Sequence, residues 1–371
     1  MRKIAAVILS AMIFLTGCTP LAYVQYRLVV HAIGVDLGED GGLKVAYQVF
    51  APDKSSGSSG PTDASGSNVT TVVTAGKTLY EAEENLELQM GRKAFFGNIE
   101  LIVIGKDLIN SKLSELISYF RDSADVYLGV DVVFSTSTAV ETLSVKLKQG
   151  NASSQVLREA VEATAEDSAT VSAKIIEINN ALSERSGSLV MPIVTVASGK
   201  PGGEESSLSN TIIGVFSSML IKDDYPIAVF DRECAKGVRL LNGSAETMNF
   251  NVTLEDLIAA VRIENIKIDR KIRISQSGYP VVRVEISGEL TVKENPNAML
   301  LEVIRREAQQ EMMSLCDMAY GTVLLENGAD VFDIGKMLRK YEPDYYDYTA
   351  SAFDEIVKNT LFEVEITLKT C

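Results

Sequence analysis

Residues 261–274 read VRIENIKIDRKIRI and residues 281–292 read VVRVEISGELTV. Ile263, Ile266, Ile268, Ile272 and Ile274 in the first stretch, and Val282, Val284, Ile286, Leu290 and Val292 in the second, recur at close to every other position among charged side chains. Successive side chains of a strand point to opposite faces, so this period builds one apolar and one wet face. A half-wet sheet is antiparallel as a rule, because parallel sheets are covered on both sides. Leu300, Ile304, Ala308, Met312, Leu315, Cys316 and Ala319 follow at helical spacing, and their stripe is read as a core-facing helix with the methionines as packing. Phe362, Val364, Ile366 and Leu368 end the chain on another alternating strand. Residues 256–371 are therefore expected to form a C-terminal α+β domain.

The half before this has a different texture. Leu28 to Val35 and Leu43 to Phe50 read as strands joined by LGEDGG at 37–42. That turn lacks the alternating aspartates and later glutamate of a calcium loop, so a hairpin is expected. Residues 53–68, DKSSGSSGPTDASGSN, are dense in Gly and Ser and are expected to be a mobile loop. Val69 to Thr74 is β-branched and resumes the sheet. Thr78-Leu-Tyr-Glu81 fits a capping box ahead of a helix on Leu79, Ala82, Leu86 and Met90. Gly76-Lys77-Thr78 hints at a phosphate loop, but the pattern requires glycine where Thr71 stands. Ile99 to Ile104 is apolar enough for a fully buried strand. A helix on Leu113, Leu116, Ile117 and Phe120, a strand from Tyr127 to Phe134, and a helix capped by Thr138 and running to about Lys148 follow. One long helix is expected over 155–182 and a closing strand at Met191 to Val194. Residues 18–200 thus form an N-terminal α/β-type domain and 201–210 a linker. Residues 211–255 are expected to be a middle β-rich domain or subdomain, with a hairpin around Asp223-Asp224 and turn-rich chain from Glu233 to Gly243. The fold class is α+β and multi-domain, with mixed or antiparallel sheets each flanked by helices.

Ahead of all this stand Arg2, Lys3 and an apolar run from Ile4 to Leu15, the order of a secretory signal peptide. The run is too short to span a bilayer, which takes roughly 20 apolar residues. It ends in Leu15-Thr16-Gly17-Cys18, which resembles a bacterial lipobox, so residues 1–17 are expected to be removed and Cys18 to become the lipidated first residue of the mature chain. Diacylglycerol and an N-acyl chain on Cys18 would then anchor the body, because two or more acyl chains hold stably where one holds marginally.

The chain has 371 residues, 46% of them apolar and 23% charged, the composition of a globular protein large enough for two or three domains. Loss of Arg2 and Lys3 with the leader moves the formal charge from −15 to −17. So acidic a body repels phosphate backbones and anionic headgroups, which argues against a nucleic-acid partner and leaves membrane contact to the lipid or to another protein. Beyond Cys18 there are Cys234, Cys316 and Cys371, an odd number without metal-site spacing. His31 is the one histidine and lies in an apolar strand. No G-x-S-x-G elbow and no H-E-x-x-H helix is present. The acidic pairs Glu83-Glu84, Glu204-Glu205 and Asp223-Asp224 read as solvated surface. A cell-wall-active glycosidase leaves no local motif, its two acids being distant in sequence, and is the enzymatic alternative. No catalytic residue, metal site or cofactor other than the lipid is expected. Tyr341, Tyr345, Tyr346 and Tyr348 are candidate partner contacts, since aromatic side chains are enriched at interface cores.

Several stretches, in order, resemble the Ger(x)C family, the lipoprotein C subunits of spore nutrient germinant receptors. They are HAIGVDLGEDGGLKVAYQVFAPD at 31–53, GKTLYEAEENLELQMGRKAFFGNIELIVIGK at 76–106, YFRDSADVYLGVDVVFSTSTAVETL at 119–143 and MPIVTV at 191–196. The second half adds IGVFSSMLIKDDYPIAVFDRECAKGVRLLNGS at 213–244, with Phe216, Glu233, Gly237 and Gly243 in the family's positions, and DMAYG at 317–321. Asn98 replaces a histidine usual in the family. The resemblance implies a non-enzymatic subunit assembled with two integral membrane subunits at the outer face of the spore inner membrane, acting in nutrient-triggered germination. An extracytoplasmic solute-binding lipoprotein is the alternative; such proteins close two α/β lobes on a ligand, whereas the chain after Asn210 reads as antiparallel α+β.

Overall fold

The computed structural model describes residues 26–50, 69–145, 152–199 and 210–370. The leader with Cys18, the 53–68 stretch and most of the 201–210 linker lie outside them.

Nine strands build the first sheet: β1 (Arg27–Leu37), β2 (Leu43–Phe50), β3 (Val69–Gly76), β4 (Lys93–Phe95), β5 (Leu101–Ile104), β6 (Asp131–Ser135), β7 (Ser188–Gly199), β8 (Asn210–Lys222) and β9 (Tyr225–Asp231). Their order is β3-β2-β1-β5-β6-β7-β8-β9, with β4 against the start of β1. The middle strands β1, β5, β6 and β7 run parallel, and the antiparallel pairs β1/β2/β3 and β7/β8/β9 flank them. Parallel strands need covering on both faces, and the helices divide accordingly. Ile33, Val35, Ile102, Ile104, Val132 and Phe134 pack toward α1 (Leu79–Met90), α2 (Leu113–Asp122) and α5 (Ile175–Ser183). Ala32, Leu101, Val103 and Val133 pack toward α3 (Ala139–Ser144) and α4 (Ser153–Glu166). This two-sided burial is why the middle strands read as unbroken apolar runs.

The same division explains where the first half departs from expectation. One helix over 155–182 would have to lie on one face, but α4 and α5 cover opposite faces. The chain breaks at Ser168, which is left-handed (φ 53°), and the backbone of 173–174 pairs with the start of β6 as it crosses. That strand begins at Asp131 rather than Tyr127, since residues 127–130 close a turn in which the Val130 N–H reaches the Tyr127 carbonyl (3.2 Å). Strand β7 does not close the sheet, because β8 pairs along its whole length from Ser188↔Lys222 to Gly199↔Asn210. The stretch 211–255 is consequently shared out: β8 and β9 extend the first sheet, and β10 (Met248–Leu254) belongs to the second.

The second sheet runs β10-β11-β12-β13, with β11 (Leu257–Ile274), β12 (Pro280–Glu294) and β13 (Leu361–Thr370). Neighbours are antiparallel except β12 and β13, which are parallel and therefore need a long crossover. The crossover holds α7 (Leu301–Ala319), a π-helical turn (Tyr320–Glu326), α8 (Ile334–Tyr341), α9 (Pro343–Tyr348) and α10 (Phe353–Lys358). One sheet face packs on these helices, and the other is wet and carries pairs such as Arg273–Glu363 (2.7 Å) and Arg283–Glu365 (3.2 Å). The three-residue step from Ile263 to Ile266 follows from a β-bulge between Glu264 and Lys267, where Asn265 is left-handed (φ 52°). Arg270 interrupts the apolar row between Ile268 and Ile272, and its guanidinium donates to the carbonyls of Asn242 (2.5 Å) and Phe332.

Most of the stretch from Glu233 to Gly243, expected as turn-rich chain, is helical, in α6 (Arg232–Leu241). Asp231 caps it by accepting from the Cys234 N–H (3.0 Å). Gly237 masks the helix signal, being a poor helix former, but it stands where α6 crosses α7. A Cβ there would lie 1.9 Å from the Leu315 carbonyl oxygen. Cys234, Ala235, Val238 and Leu241 of this helix share one core with Leu220 and Phe230 of the first sheet and with Ile263 and Val284 of the second. The two sheets are thus joined through α6 by apolar packing.

Candidate interaction site

In open sheets with parallel strands, ligands sit at the carboxyl ends of the strands, commonly against a helix N-terminus. Here β1, β5 and β6 end together at the start of α3, and the chain fills that place itself. Asp36, at the end of β1, accepts from the Ala139 N–H (2.6 Å) and the Val140 N–H (2.9 Å). Thr138 and Glu141 complete a reciprocal capping box. Gly105, after β5, leaves the room, since a Cβ there would meet Asp36 Oδ1 at 1.8 Å. Burial pushes the Asp36 carboxyl up in spite of its two N–H donors. At the other end of α3 the buried Gln48 amide donates to the Leu143 carbonyl (2.8 Å) and Ser153 Oγ (2.7 Å). The polar groups where a nucleotide would bind are engaged in holding a six-residue helix. His31 is half-buried in β1, edge-on to Phe50 at 6.3 Å between ring centroids.

The two halves meet along a polar seam. Arg185, in the α5–β7 turn, lies 3.9 Å from the Tyr346 ring centroid and donates to the Tyr346 carbonyl (2.6 Å), while Glu184 pairs with Arg339 (3.0 Å). Lys222 reaches the Gly328 carbonyl (2.9 Å) and Asp354 (3.3 Å). A cavity of about 20 Å³ lies here, lined in part by Arg185, Asp330, Tyr346 and Phe353; it has room for a single water. Fully buried Asp330 accepts from the N–H groups of Ile334 (2.8 Å) and Gly335 (2.7 Å) and so caps α8.

Burial raises the Asp330 carboxyl to about 6, and raises Asp131 likewise to about 6; Asp131 Oδ1 has no hydrogen-bond partner among the described residues. Folded-state values above the ordinary 3.8 mean that the native chain binds protons more readily than the unfolded chain between about pH 6 and pH 4. These two groups therefore destabilise the fold at neutral pH, and their penalty is relieved as pH falls through 6. The urea midpoint is expected to rise between pH 7.5 and pH 5.5, and Asp131→Asn to remove part of the rise. A variant whose midpoint rises as much as the parent's would contradict this.

The four tyrosines do not form one patch. Tyr346 is buried edge-on to Phe353 (5.9 Å between centroids) and Tyr345 donates to the Gly278 carbonyl (2.6 Å), whereas Tyr341 and Tyr348 are exposed. A short helix starting at Pro343 turns neighbouring positions to different sides. Of the acidic pairs, Asp223 and Asp224 form a tight turn with both residues left-handed (φ 50° and 77°), and Asp224 Oδ1 caps α2 through the Ser114 N–H (2.6 Å). Glu83 accepts from the Tyr119 hydroxyl, and Glu204 and Glu205 lie outside the described residues. Cys234 and Cys316 are buried thiols, both pushed up to about 12 by burial and therefore unreactive as thiolates. Cys371 lies outside the described residues. Among the described residues no group of three or more His, Cys, Asp or Glu could hold a metal ion, and no helix is long and apolar enough to cross a membrane. Sequence reasoning missed Asp36, Arg270 and Asp330, whose partners are 28 to 104 residues away or, for Asp330, on the next helix. Only the Asp after an apolar strand run was a visible signal.

The described chain is thus an α+β fold of two sheets whose strand-end crevice is filled by Asp36 and the start of α3. Residues 23–196 match the family model described as spore germination protein N-terminal domain. Residues 217–370 match the one described as spore germination B3/GerAC like, C-terminal. The chain belongs to the GerAC-like family of spore germination proteins. Its fold is similar to the crystal structure of the GerBC protein, with a TM-score of 0.55 over 91% of this chain and 96% of that one. At 15% identity the likeness is one of fold. No curated protein matches the sequence.

Proposed function

We propose that the chain is the lipid-anchored C subunit of a spore nutrient germinant receptor. In this reading diacylglycerol and an N-acyl chain on Cys18 hold it at the outer face of the spore inner membrane, and it acts through contacts with two integral membrane subunits rather than by catalysis. The observation that carries the reading is the collinear match of both family models, preceded by Leu15-Thr16-Gly17-Cys18 only nine residues before β1. A body of charge −17 is repelled by anionic headgroups, so attachment must come from acyl chains, at about 0.8 kcal/mol per buried methylene. Tyr341 and Tyr348, whose rings reach solvent, are the members of the tyrosine group offered to a partner.

Cys18→Ala tests the anchor. In sporulating cells the variant is expected to lose palmitate labelling and to move from the inner-membrane fraction to the soluble fraction. Mass spectrometry showing an unmodified Cys18 on membrane-bound parent protein would sink the reading. Recovery of the membrane subunits with a Tyr341→Ala, Tyr348→Ala double variant, unchanged from the parent, would remove those two side chains from the contact.

A further inference from the structure

We infer that the N-terminal pole of the first sheet, where Tyr26, Leu88, Arg92, Lys93 and Tyr127 meet, lies on the lipid headgroups. The inference rests on the anchor reading for Cys18 and adds which face of the body the bilayer touches.

The topology places these residues together. Lys93 stands opposite Arg27 in the parallel β1/β4 pair, and Arg27 reaches Asp125 (3.3 Å), two residues before Tyr127. Glu87, beside Leu88 in the last turn of α1, accepts from the Ala94 N–H (2.9 Å) and pairs with Lys93. Leu88 faces away from the buried stripe of Leu79, Ala82 and Leu86 and is 81% exposed, and Tyr127 is 70% exposed. The Tyr127 ring lies over Gly129, where a Cβ would meet it at 2.3 Å, and turns its other face to solvent.

Two further observations point to lipid. Cys18 precedes Tyr26 by eight residues, which extend at most about 29 Å, so this pole is the part of the body that the tether keeps nearest the bilayer. The chain as a whole is strongly acidic, but here Arg27, Arg92, Lys93 and Arg121 stand among Glu83, Glu84, Glu87, Asp122 and Asp125, so the local charge is close to neutral and headgroup repulsion is weaker than over the body as a whole. Tyrosine rings and basic side chains around an exposed leucine are the mixture that settles at the membrane–water boundary.

The chain contains no tryptophan, so a single substitution makes a clean fluorescent reporter. Leu88→Trp and Tyr127→Trp report on the pole. Leu37→Trp, exposed at the far end of the same strand β1 and about 33 Å away, is the control. Each full-length acylated variant is reconstituted into phosphatidylcholine–phosphatidylglycerol vesicles with and without brominated acyl chains, and flotation is scored in the same samples. The expected result is flotation of all three, with most of the emission lost at positions 88 and 127 and none at 37. Flotation without quenching at 88 and 127, or with equal quenching at 37, overturns the proposed orientation while leaving the anchor intact. Failure to float overturns the anchor and the orientation with it.

Discussion

Gly237→Ala is expected to destabilise the fold by about 2–4 kcal/mol, although alanine is the better helix former by about 1 kcal/mol. The added methyl would lie 1.9 Å from the Leu315 carbonyl oxygen, 2.7 Å from its carbonyl carbon and 2.8 Å from the Ala319 methyl. The first two are backbone atoms of a helix nineteen residues long, so no side chain can swing aside and α6 must move off α7. That movement opens the core in which Cys234, Val238 and Leu241 join the two sheets, and every apolar contact there weakens together. Urea unfolding of the mature chain would show a lower midpoint, and Gly237→Val a still lower one or no folded protein. An unchanged or higher midpoint for Gly237→Ala would mean that the helices lie farther apart than this crossing requires.

The second large effect is expected at Asp36. Asp36→Ala leaves the Ala139 and Val140 N–H groups buried without acceptors, at roughly 1–3 kcal/mol each, so a loss of about 2–4 kcal/mol is expected. Asn at 36 keeps one acceptor oxygen and should fall between. Gly105→Ala is expected to be damaging for the same reason seen from the other side, since its methyl would meet Asp36 Oδ1 at 1.8 Å. Once Asp36 is alanine that clash is gone, and of the three nearest atoms the Ala139 amide nitrogen at 3.0 Å remains. The double variant should therefore cost less than the sum of the two singles, by on the order of 1 kcal/mol or more. Strict additivity in a denaturation cycle would contradict the geometry.

Periodicity made much of the fold legible. The alternation in 261–274 and 281–292 predicted β11 and β12 with one wet face, and the structure carries salt bridges there. The apolar run at 99–104 predicted the buried strand β5, and Thr138 with Glu141 predicted a cap that is present in full. Misreadings occurred where a local rule met a tertiary demand. Glu233 to Gly243 was read as turn-rich chain, and Gly237 within it is a poor helix former whose missing Cβ the helix crossing needs. Residues 155–182 were expected as one helix, yet the chain had to pass from one face of the sheet to the other and broke at Ser168. Four tyrosines close in sequence suggested one surface, and a short helix sent Tyr346 inward and Tyr348 outward.

What the amino-acid order determined by itself was the type and buried face of the strongly periodic elements, and the family, because side-chain period and segment order are properties of the chain. The tertiary structure alone decided which strands share a sheet, with β8 completing the N-terminal one, and what fills the strand-end crevice. Those outcomes depend on atoms that only folding brings within 3 Å, such as Asp36 and the Ala139 amide, 103 residues apart. No local pattern encodes a hydrogen bond across that separation.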